Sequence, residues 1–201
     1  MRAFLAAPIA TELRERVSAI QQQLRDVVAP GPGRRMRITW VKPATIHLTF
    51  KFLGEIDDDA VEALRASVSA VIDGCPAIEI PLETIGAFPR VQAPRALWIG
   101  PPPDWDSRDE AKRALALAAS IDDACSKFAV PRDTHPWRPH LTIARVREGE
   151  RDAGRALEAS GLMARAHDVG ILRVDEISLM KSEMRPDGPV HTPLWTAAVA
   201  R

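Results

Sequence analysis

Cysteine is scarce in this sequence, and a surplus of charge of either sign is absent. The 201 residues include two cysteines, Cys75 and Cys125. These lack the paired spacing of a zinc site or a redox motif, so we interpret both as reduced packing residues. Lysine plus arginine equals aspartate plus glutamate, at 27 each. Such a balance is unlike that of a protein that wraps long nucleic acid, and it fits a small ligand or a strand end better.

Long apolar runs are absent too. No segment approaches the roughly 20 apolar residues that span a bilayer. The apolar run at residues 1–10 is too short for a signal peptide, and a polar segment follows it at once. We therefore expect a cytoplasmic protein with no membrane partner, and we expect a monomer. The apolar fraction of 46% and the charged fraction of 27% are those of an ordinary folded protein.

The hydrophobic pattern predicts strands interspersed with helices. Helical spacing of apolar residues predicts helices at 11–28, 57–72, 106–128 and 151–163. Alternating or continuous apolar runs predict strands at 2–8, 36–41, 45–53, 77–88, 95–100, 137–146, 171–184 and 190–199. The cluster Ala29-Pro-Gly-Pro-Gly breaks the chain after the first helix, and Asp187-Gly is a hairpin turn signal.

One short motif occurs twice. His47-Leu-Thr-Phe reappears as His140-Leu-Thr-Ile, each on a predicted strand flanked by helices, which indicates a twofold internal repeat. No Gly/Ser-rich linker divides the chain, so we expect residues 1–201 to form a single domain. The order of elements predicts an α+β fold of largely antiparallel sheet. We expect two pseudo-symmetric, intertwined lobes with outer helices around a central cleft.

Strand geometry predicts which side chains enter that cleft. Because side chains alternate between the two faces of a strand, one face of the first motif is polar and the other apolar. The predicted polar face of the first motif carries Thr45, His47, Thr49 and Lys51, and its apolar face carries Ile46, Leu48, Phe50 and Phe52. The polar face of the second motif carries Arg138, His140 and Thr142. Two facing lobes would thus bring two imidazoles and two hydroxyls to one cleft.

Two imidazoles and two hydroxyls are the groups that phosphodiester displacement needs. One histidine takes a proton and the other gives one, and an unperturbed pKa near 6.5 suits both tasks. Threonine hydroxyls can donate hydrogen bonds to the phosphate oxygens as their charge rises. This scheme requires no metal and no cofactor. One isolated His-x-Thr would be read as a partly buried structural histidine, whereas two copies in similar contexts favour a site.

With these motifs, nearly the whole chain resembles the two-histidine phosphoesterase superfamily, and in it the RNA 2',3'-cyclic phosphodiesterases, also called 2'-5' RNA ligases. The matching segments are Arg2-Ala-Phe-Leu-Ala-Ala-Pro, Ile46-His-Leu-Thr-Phe-Lys-Phe-Leu-Gly-Glu, Gly86-Ala-Phe-Pro-Arg, Arg95-Ala-Leu-Trp-Ile-Gly, Arg138-Pro-His-Leu-Thr-Ile-Ala-Arg and Gly188-Pro-Val-His-Thr-Pro-Leu. The resemblance implies a bilobal fold and metal-independent hydrolysis of RNA 2',3'-cyclic phosphate ends to 2'-phosphomonoesters. It also implies that reverse 2'-5' ligation is possible.

The resemblance further implies residue roles. His47 would be the general acid that protonates the leaving 3'-oxygen, and His140 would be the general base that activates water. Thr49 and Thr142 would hold the phosphate. Arg145 stands where the family often carries a phosphate-contacting arginine, but strict alternation assigns it to the core face, so this role requires a bulge or a strand end. Lys51 and Arg138 satisfy the alternation and are further substrate-binding candidates.

Other polar and aromatic residues have less specific predictions. His135, His167 and His191 lie outside the motifs, so we expect them on the surface or in loops, with His135 or His191 at the cleft rim as an alternative. Trp137, Phe88 and Trp98 could stack on a base, although core packing is the simpler expectation.

Three alternatives to this function stay open at the level of sequence. The substrate could be a small cyclic nucleotide, since the balanced charge gives no visible RNA track. The chain could be a catalytically silent nucleotide- or RNA-binding module. A zinc site formed by His47, His140 and a further histidine is the third, disfavoured because no short-spaced ligand pair occurs.

Overall fold

A sheet of eight strands dominates the architecture. The structure, a computed structural model, describes residues 1–29, 36–128, 130–186 and 188–199. The strands are β1 (Arg2–Pro8), β2 (Arg37–Trp40), β3 (His47–Glu55), β4 (Ile78–Leu82), β5 (Thr84–Phe88), β6 (Ala96–Gly100), β7 (Leu141–Glu148), β8 (Gly170–Val174), β9 (Glu176–Arg185) and β10 (Gly188–Ala198). In the large sheet the order is β10-β9-β1-β3-β7-β6-β5, with β2 also paired to β7. Every pairing is antiparallel, as predicted.

Two of the predicted strands are each divided in two. The predicted strand at 77–88 is β4 and β5, and the predicted strand at 171–184 is β8 and β9. β4 and β8 leave the large sheet and form a separate two-stranded sheet. Continuous apolar runs carry no sign of such a change of sheet, because both halves are buried strands. The Asp187 turn signal and residues 30–33 of the predicted break lie outside the described residues.

The helices pack their apolar faces against the sheets. They are α1 (Thr11–Val27), α2 (Ala60–Ile72), α3 (Asp109–Ser126) and α4 (Glu150–Ser160). In α1, the buried residues Leu13, Val17, Ile20 and Leu24 recur at three- and four-residue intervals, which places them on one face. Within the described residues, no helix combines the length and apolar character needed to cross a membrane.

The central strands β3 and β7 are related by a local twofold symmetry. They pair at Leu48 and Leu141, the residues that directly follow the two motif histidines. From His47 to Glu55 and from His140 to Glu148, the nine residues follow the same sequence of buried, half-buried and exposed positions. The twofold repeat predicted from the His-Leu-Thr motif therefore extends well beyond the motif itself.

Each central strand also contains an extra residue at the same place. In β3, Leu5 and Ala6 of β1 pair with Lys51 and Thr49, which leaves Phe50 as the extra residue. In β7, Ile143 is the extra residue opposite β6 in the same way. Such β-bulges shift the alternation by one residue. The residues directly after each extra residue therefore face the side opposite to that predicted by strict alternation: Lys51, Phe52 and Leu53 in β3, and Ala144, Arg145 and Val146 in β7. A second shift of the register follows in each strand, at Leu53 and at Arg147.

The bulge in β3 directs Lys51 into the core, so its predicted orientation toward the cleft is wrong. Its side chain is 1% exposed, and Nζ lies 2.5 Å from Asp122 Oδ1 and 3.0 Å from Asp133 Oδ1. Nζ also donates a hydrogen bond to the carbonyl oxygen of Pro131, at 2.7 Å. Burial alone lowers the pKa of this amine, but the hydrogen bonds with the two carboxylates outweigh burial and raise it. Lys51 is thus a structural ion-pair residue.

Replacing Lys51 with alanine should destabilise the fold by about 2 to 3 kcal/mol. Removing one partner of a buried ion pair leaves a charge without compensation, at about 3 to 5 kcal/mol where both partners are buried. We expect less here, because Asp133 is half exposed. Urea unfolding followed by circular dichroism measures the difference. The matched control is Lys181→Ala, whose pair with Glu183 is surface-exposed and should contribute less than about 1 kcal/mol. Equal losses in both variants would contradict the assignment.

Candidate active site

The two motif histidines lie where the central strands meet: His47 is the first residue of β3, and His140 directly precedes β7. Continuing the Leu48–Leu141 register by one residue each way sets His47 opposite Thr142 and Thr49 opposite His140. The side chains of all four are half-buried and face away from the core. Both His-x-Thr motifs therefore lie on one face of the sheet, in a crosswise arrangement on adjacent strands. We predicted that two facing lobes would bring the motifs to one cleft; the direct pairing of the two strands was not predicted.

Each histidine is oriented by the same hydrogen bond. His47 Nδ1 lies 2.8 Å from the carbonyl oxygen of Thr45, and His140 Nδ1 lies 2.8 Å from that of Arg138. In both cases the acceptor is two residues upstream. Because a carbonyl oxygen can only accept, Nδ1 must carry the proton, and Nε2 is the unprotonated nitrogen of the neutral ring. Thr45 belongs to a 3-10 turn, Pro43–Thr45, instead of the predicted strand.

The surroundings favour the neutral form of both rings. Burial lowers the pKa of His47 to about 4, against the opposing effect of the Thr45 hydrogen bond and with smaller contributions from the charges of His191 and His140. Burial also lowers the pKa of His140, assisted by the positive charge of Arg145. Both rings therefore favour the neutral form with an unprotonated Nε2, which is the form that can accept a proton.

Aromatic rings enclose each histidine. Phe4 stacks on His47 with ring centroids 4.7 Å apart, and Phe88 meets His140 edge-on at 5.0 Å. Trp98 is 6.3 Å from His140 and lies across Gly86, where an added Cβ would stand 2.0 Å from the indole. Phe88 and Trp98 thus form the wall beside His140, and only glycine at position 86 leaves room for it.

A groove of about 570 Å³ runs along this face and contains most of the candidate residues. Its lining includes His47, Thr49, Thr142, Arg145 and His191. An adjoining cavity of about 730 Å³ contains Thr49, Arg138 and His140. Thr49 lines both spaces, so the two halves meet between the histidines. Arg138 is exposed in the loop before β7, not on the strand as predicted.

The two bulges bring Arg145 and Phe52 to equivalent places in the groove. Each stands five residues after its motif histidine and is exposed on the cleft side. The bulge that the Arg145 assignment required is present at Ile143. Phe52 was predicted on the core face, which is wrong, since 66% of it is exposed. The sequence contains a signal for the position of Phe52. When the two repeats are aligned at their histidines, Phe52 falls at the same place as Arg145.

The other three histidines and Trp137 differ in their surroundings, and only some of them lie near the cleft. His135 is exposed in a loop, as expected, whereas His167 lies in a loop but is buried, with Nε2 2.8 Å from the carbonyl oxygen of Leu162. His191 is on β10, half-buried, with its ring centroid 5.4 Å from that of His47. The predicted surface or loop position of His191 is therefore wrong, and the alternative prediction, a position at the rim of the cleft, agrees better with the structure. Trp137 stacks on Phe50 and donates its indole N–H to the carbonyl oxygen of Thr49.

Comparison with known proteins defines the family. A family model described as LigT like phosphoesterase matches residues 8–98 and 106–191, so the chain belongs to the LigT-like phosphoesterase family of the two-histidine superfamily.

Individual relatives agree over almost the full length. The chain is 30% identical over 192 residues to a protein of Methanothermobacter thermautotrophicus named RNA 2',3'-cyclic phosphodiesterase, covering 96% of this chain and 95% of the relative. A protein of the same name from Archaeoglobus fulgidus is 26% identical, with 96% and 98% covered. The solved structure of E. coli LigT complexed with 3'-AMP has the same fold, with a TM-score of 0.67, 20% identity, and 100% and 98% of the two chains covered.

An NMR titration should find His47 neutral and protonated at Nδ1 at pH 6. Its pKa of about 4 leaves only about one ring in a hundred charged at that pH. His140 should titrate below 6.5 as well. Nitrogen-15 shifts of the imidazoles report both the charge and the tautomer. In urea both rings should return to about 6.5. A His47 pKa at or above 6.5 in the folded protein would contradict the role of desolvation.

Proposed function

We propose that this chain hydrolyses RNA 2',3'-cyclic phosphate ends to 2'-phosphomonoesters, with His47 and His140 as an acid-base pair that requires no metal. One observation carries this proposal: two His-x-Thr motifs meet about a local twofold axis, and each imidazole is fixed in the same tautomer by the carbonyl two residues upstream. The names of the relatives support the choice of substrate.

The reaction is an attack of water on phosphorus. His140 Nε2 takes a proton from water as the new P–O bond forms. The bond from phosphorus to the 3'-oxygen breaks, and His47 gives its Nε2 proton to that oxygen. The product has a free 3'-hydroxyl and a 2'-phosphomonoester, and the two histidines end with their protonation exchanged. The same steps in the same direction, with an RNA 5'-hydroxyl in place of water as the nucleophile, would give a 2'-5' phosphodiester and a free 3'-hydroxyl, which is 2'-5' ligation; the reverse steps would cleave that linkage.

Four side chains are available to hold the phosphate. The Thr49 and Thr142 hydroxyls flank the two imidazoles and can donate to non-bridging oxygens, whose charge rises in the transition state. Arg145 is exposed in the same groove, and its guanidinium can contact two oxygens at once. Arg138 lines the adjoining cavity beside His140 and is the weaker candidate.

The assignment of acid to His47 and base to His140 follows the family resemblance. The low pKa of His47 means that it is mostly neutral in the free protein. Binding of an anionic phosphate beside Nε2 favours the charged ring, so His47 would gain its proton as the substrate binds. Burial would thereby restrict the protonated form of His47, which acts as the acid, to the complex of the protein with its substrate.

An RNA oligonucleotide ending in a 2',3'-cyclic phosphate tests the function, with protein previously treated with a chelator. The wild type should produce a 2'-phosphate, and His47→Ala and His140→Ala should each lose about 10²- to 10⁴-fold in rate. Chromatography separates 2'-phosphate from 3'-phosphate and from the intact cyclic end. Chelator-sensitive activity would favour the zinc alternative, and an intact substrate with every protein would refute the hydrolytic proposal.

Matched variants in the same assay separate binding from folding effects. Thr49→Val and Thr142→Val should each lose about tenfold, while Thr49→Ser and Thr142→Ser keep the hydroxyl and most of the rate. Arg145→Gln should lower the rate of hydrolysis about tenfold or more. The matched control is Arg173→Gln, which should leave the rate unchanged, because Arg173 pairs with Glu79 in the two-stranded sheet. A cyclic mononucleotide turned over as well as the oligonucleotide would favour the small-nucleotide alternative.

The pH profile of kcat/KM should have its optimum below pH 6.5. A histidine acid-base pair needs one ring protonated and one neutral, so the optimum lies midway between the two pKa values of the free enzyme. Both values are lowered from 6.5. Above the optimum the acid loses its proton, and below it the base gains one, so the rate falls on both sides. Initial rates between pH 4.5 and 8 measure this, and an optimum at pH 7 or above would exclude the pair as described.

A further inference from the structure

A second cavity lies directly behind His47. It has a volume of about 180 Å³, enough for about six waters at about 30 Å³ each, or for one heterocyclic base. Thr45, Ile46, His47 and His191 line both this cavity and the main groove, so the two spaces adjoin. The cavity is also lined by Ala6 and Pro8 of β1, by Ser178 and Met180 of β9, and by Arg14 in the first turn of α1.

The residues that line this cavity include five apolar ones, and two others contain a buried polar atom without a hydrogen-bond partner among the described residues. The apolar residues are Ala6, Pro8, Ala44, Ile46 and Met180. Within the described part of the chain, five buried side-chain nitrogen or oxygen atoms lack a hydrogen-bond partner, and three of these are indole nitrogens. The other two, Arg14 Nε and His191 Nδ1, both belong to residues that line this cavity.

Such a combination fits a planar base better than a bare anion. Buried polar groups without partners are rare, and they mark places where a ligand or water completes the hydrogen bonding. Small-molecule sites are typically apolar clefts with a few convergent polar groups. The lining residues include no carboxylate, and Arg14 has only donors, so the part of the site at Arg14 calls for a ligand edge with acceptors; the hydroxyls and imidazoles of the lining can both donate and accept.

We propose that this cavity holds the base of the nucleotide that carries the cyclic phosphate, an inference that rests on the proposed function. Arg14 selects guanine over adenine at this site. Guanine presents two acceptors, N7 and O6, on one edge, whereas adenine presents the N7 acceptor beside an amino donor. The guanidinium of Arg14 has only donors, so an adenine amino group would face it without a partner. His191 closes the cavity between the base and His47.

Two oligonucleotides that differ only in the terminal base test the proposal. Wild-type kcat/KM should favour the guanosine 2',3'-cyclic end over the adenosine end by about tenfold or more. Arg14→Gln should reduce this ratio to about twofold or less. The matched control is Arg16→Gln, which removes an exposed arginine of the same helix outside the cavity and should leave the ratio unchanged. A wild-type ratio below about twofold, or an unchanged ratio in Arg14→Gln, would overturn the proposal.

Product binding separates this proposal from the proposed function. Calorimetry with 2'-GMP and 2'-AMP needs no turnover, so a preference for 2'-GMP that Arg14→Gln removes would support the base site even in a protein that hydrolyses neither oligonucleotide. Ala6→Leu should fill the cavity and weaken 2'-GMP binding about tenfold or more, with an unchanged unfolding midpoint showing that the fold is intact. Equal binding of 2'-GMP by wild type and Ala6→Leu would overturn the assignment of the cavity.

Discussion

The site depends on one extra residue in each of the two central strands. Phe50 and Ile143 reverse the facing of the residues that directly follow them, including Phe52 and Arg145, and each is supported by contacts from elsewhere in the chain. The carbonyl oxygen of Ile143 accepts hydrogen bonds from Gln21 Nε2, at 2.8 Å, and from the backbone N–H of Val41. Trp137 stacks on Phe50 and donates its indole N–H to the carbonyl oxygen of Thr49, the residue before the bulge. Because these partners satisfy the irregular backbone, the bulges can persist inside a buried sheet.

The bulges divide each strand into a symmetric and an asymmetric part. Before the bulge both copies present His-x-Thr, which suits a reaction in which one proton is given and another is taken. Beyond it the copies differ at equivalent positions, with Phe52 against Arg145 and Gly54 against Arg147. A nucleotide is itself asymmetric, with a charged phosphate and a planar base. The chemistry can thus be shared between the repeats while the surroundings orient the substrate in one direction.

The sequence predicted the elements, the antiparallel sheet and the meeting of the two motifs, since all three follow from local periodicity and the repeat. The single-domain division of residues 1–201 stays a prediction. Alternation failed at Lys51 and Phe52, because the contact that stabilises the bulge at Phe50 comes from a residue far along the chain, Trp137, which is 88 positions from its hydrogen-bond acceptor Thr49. Arg14 could not be predicted for the same reason, and His191 was predicted at the cleft rim only as an alternative, because only the folded sheet brings α1 and β10 to His47.

Burial of the histidines links substrate binding to catalysis. The aromatic wall that orients each ring also removes water from it, and the loss of hydration outweighs the carbonyl hydrogen bond that would favour the charged form. A buried imidazole with an open Nε2 is therefore a weak base until an anion arrives. In the proposed reaction, the phosphate would supply the missing negative charge at the atom where the proton is needed. Desolvation, which is unfavourable for a free charged histidine, would then make protonation conditional on the substrate.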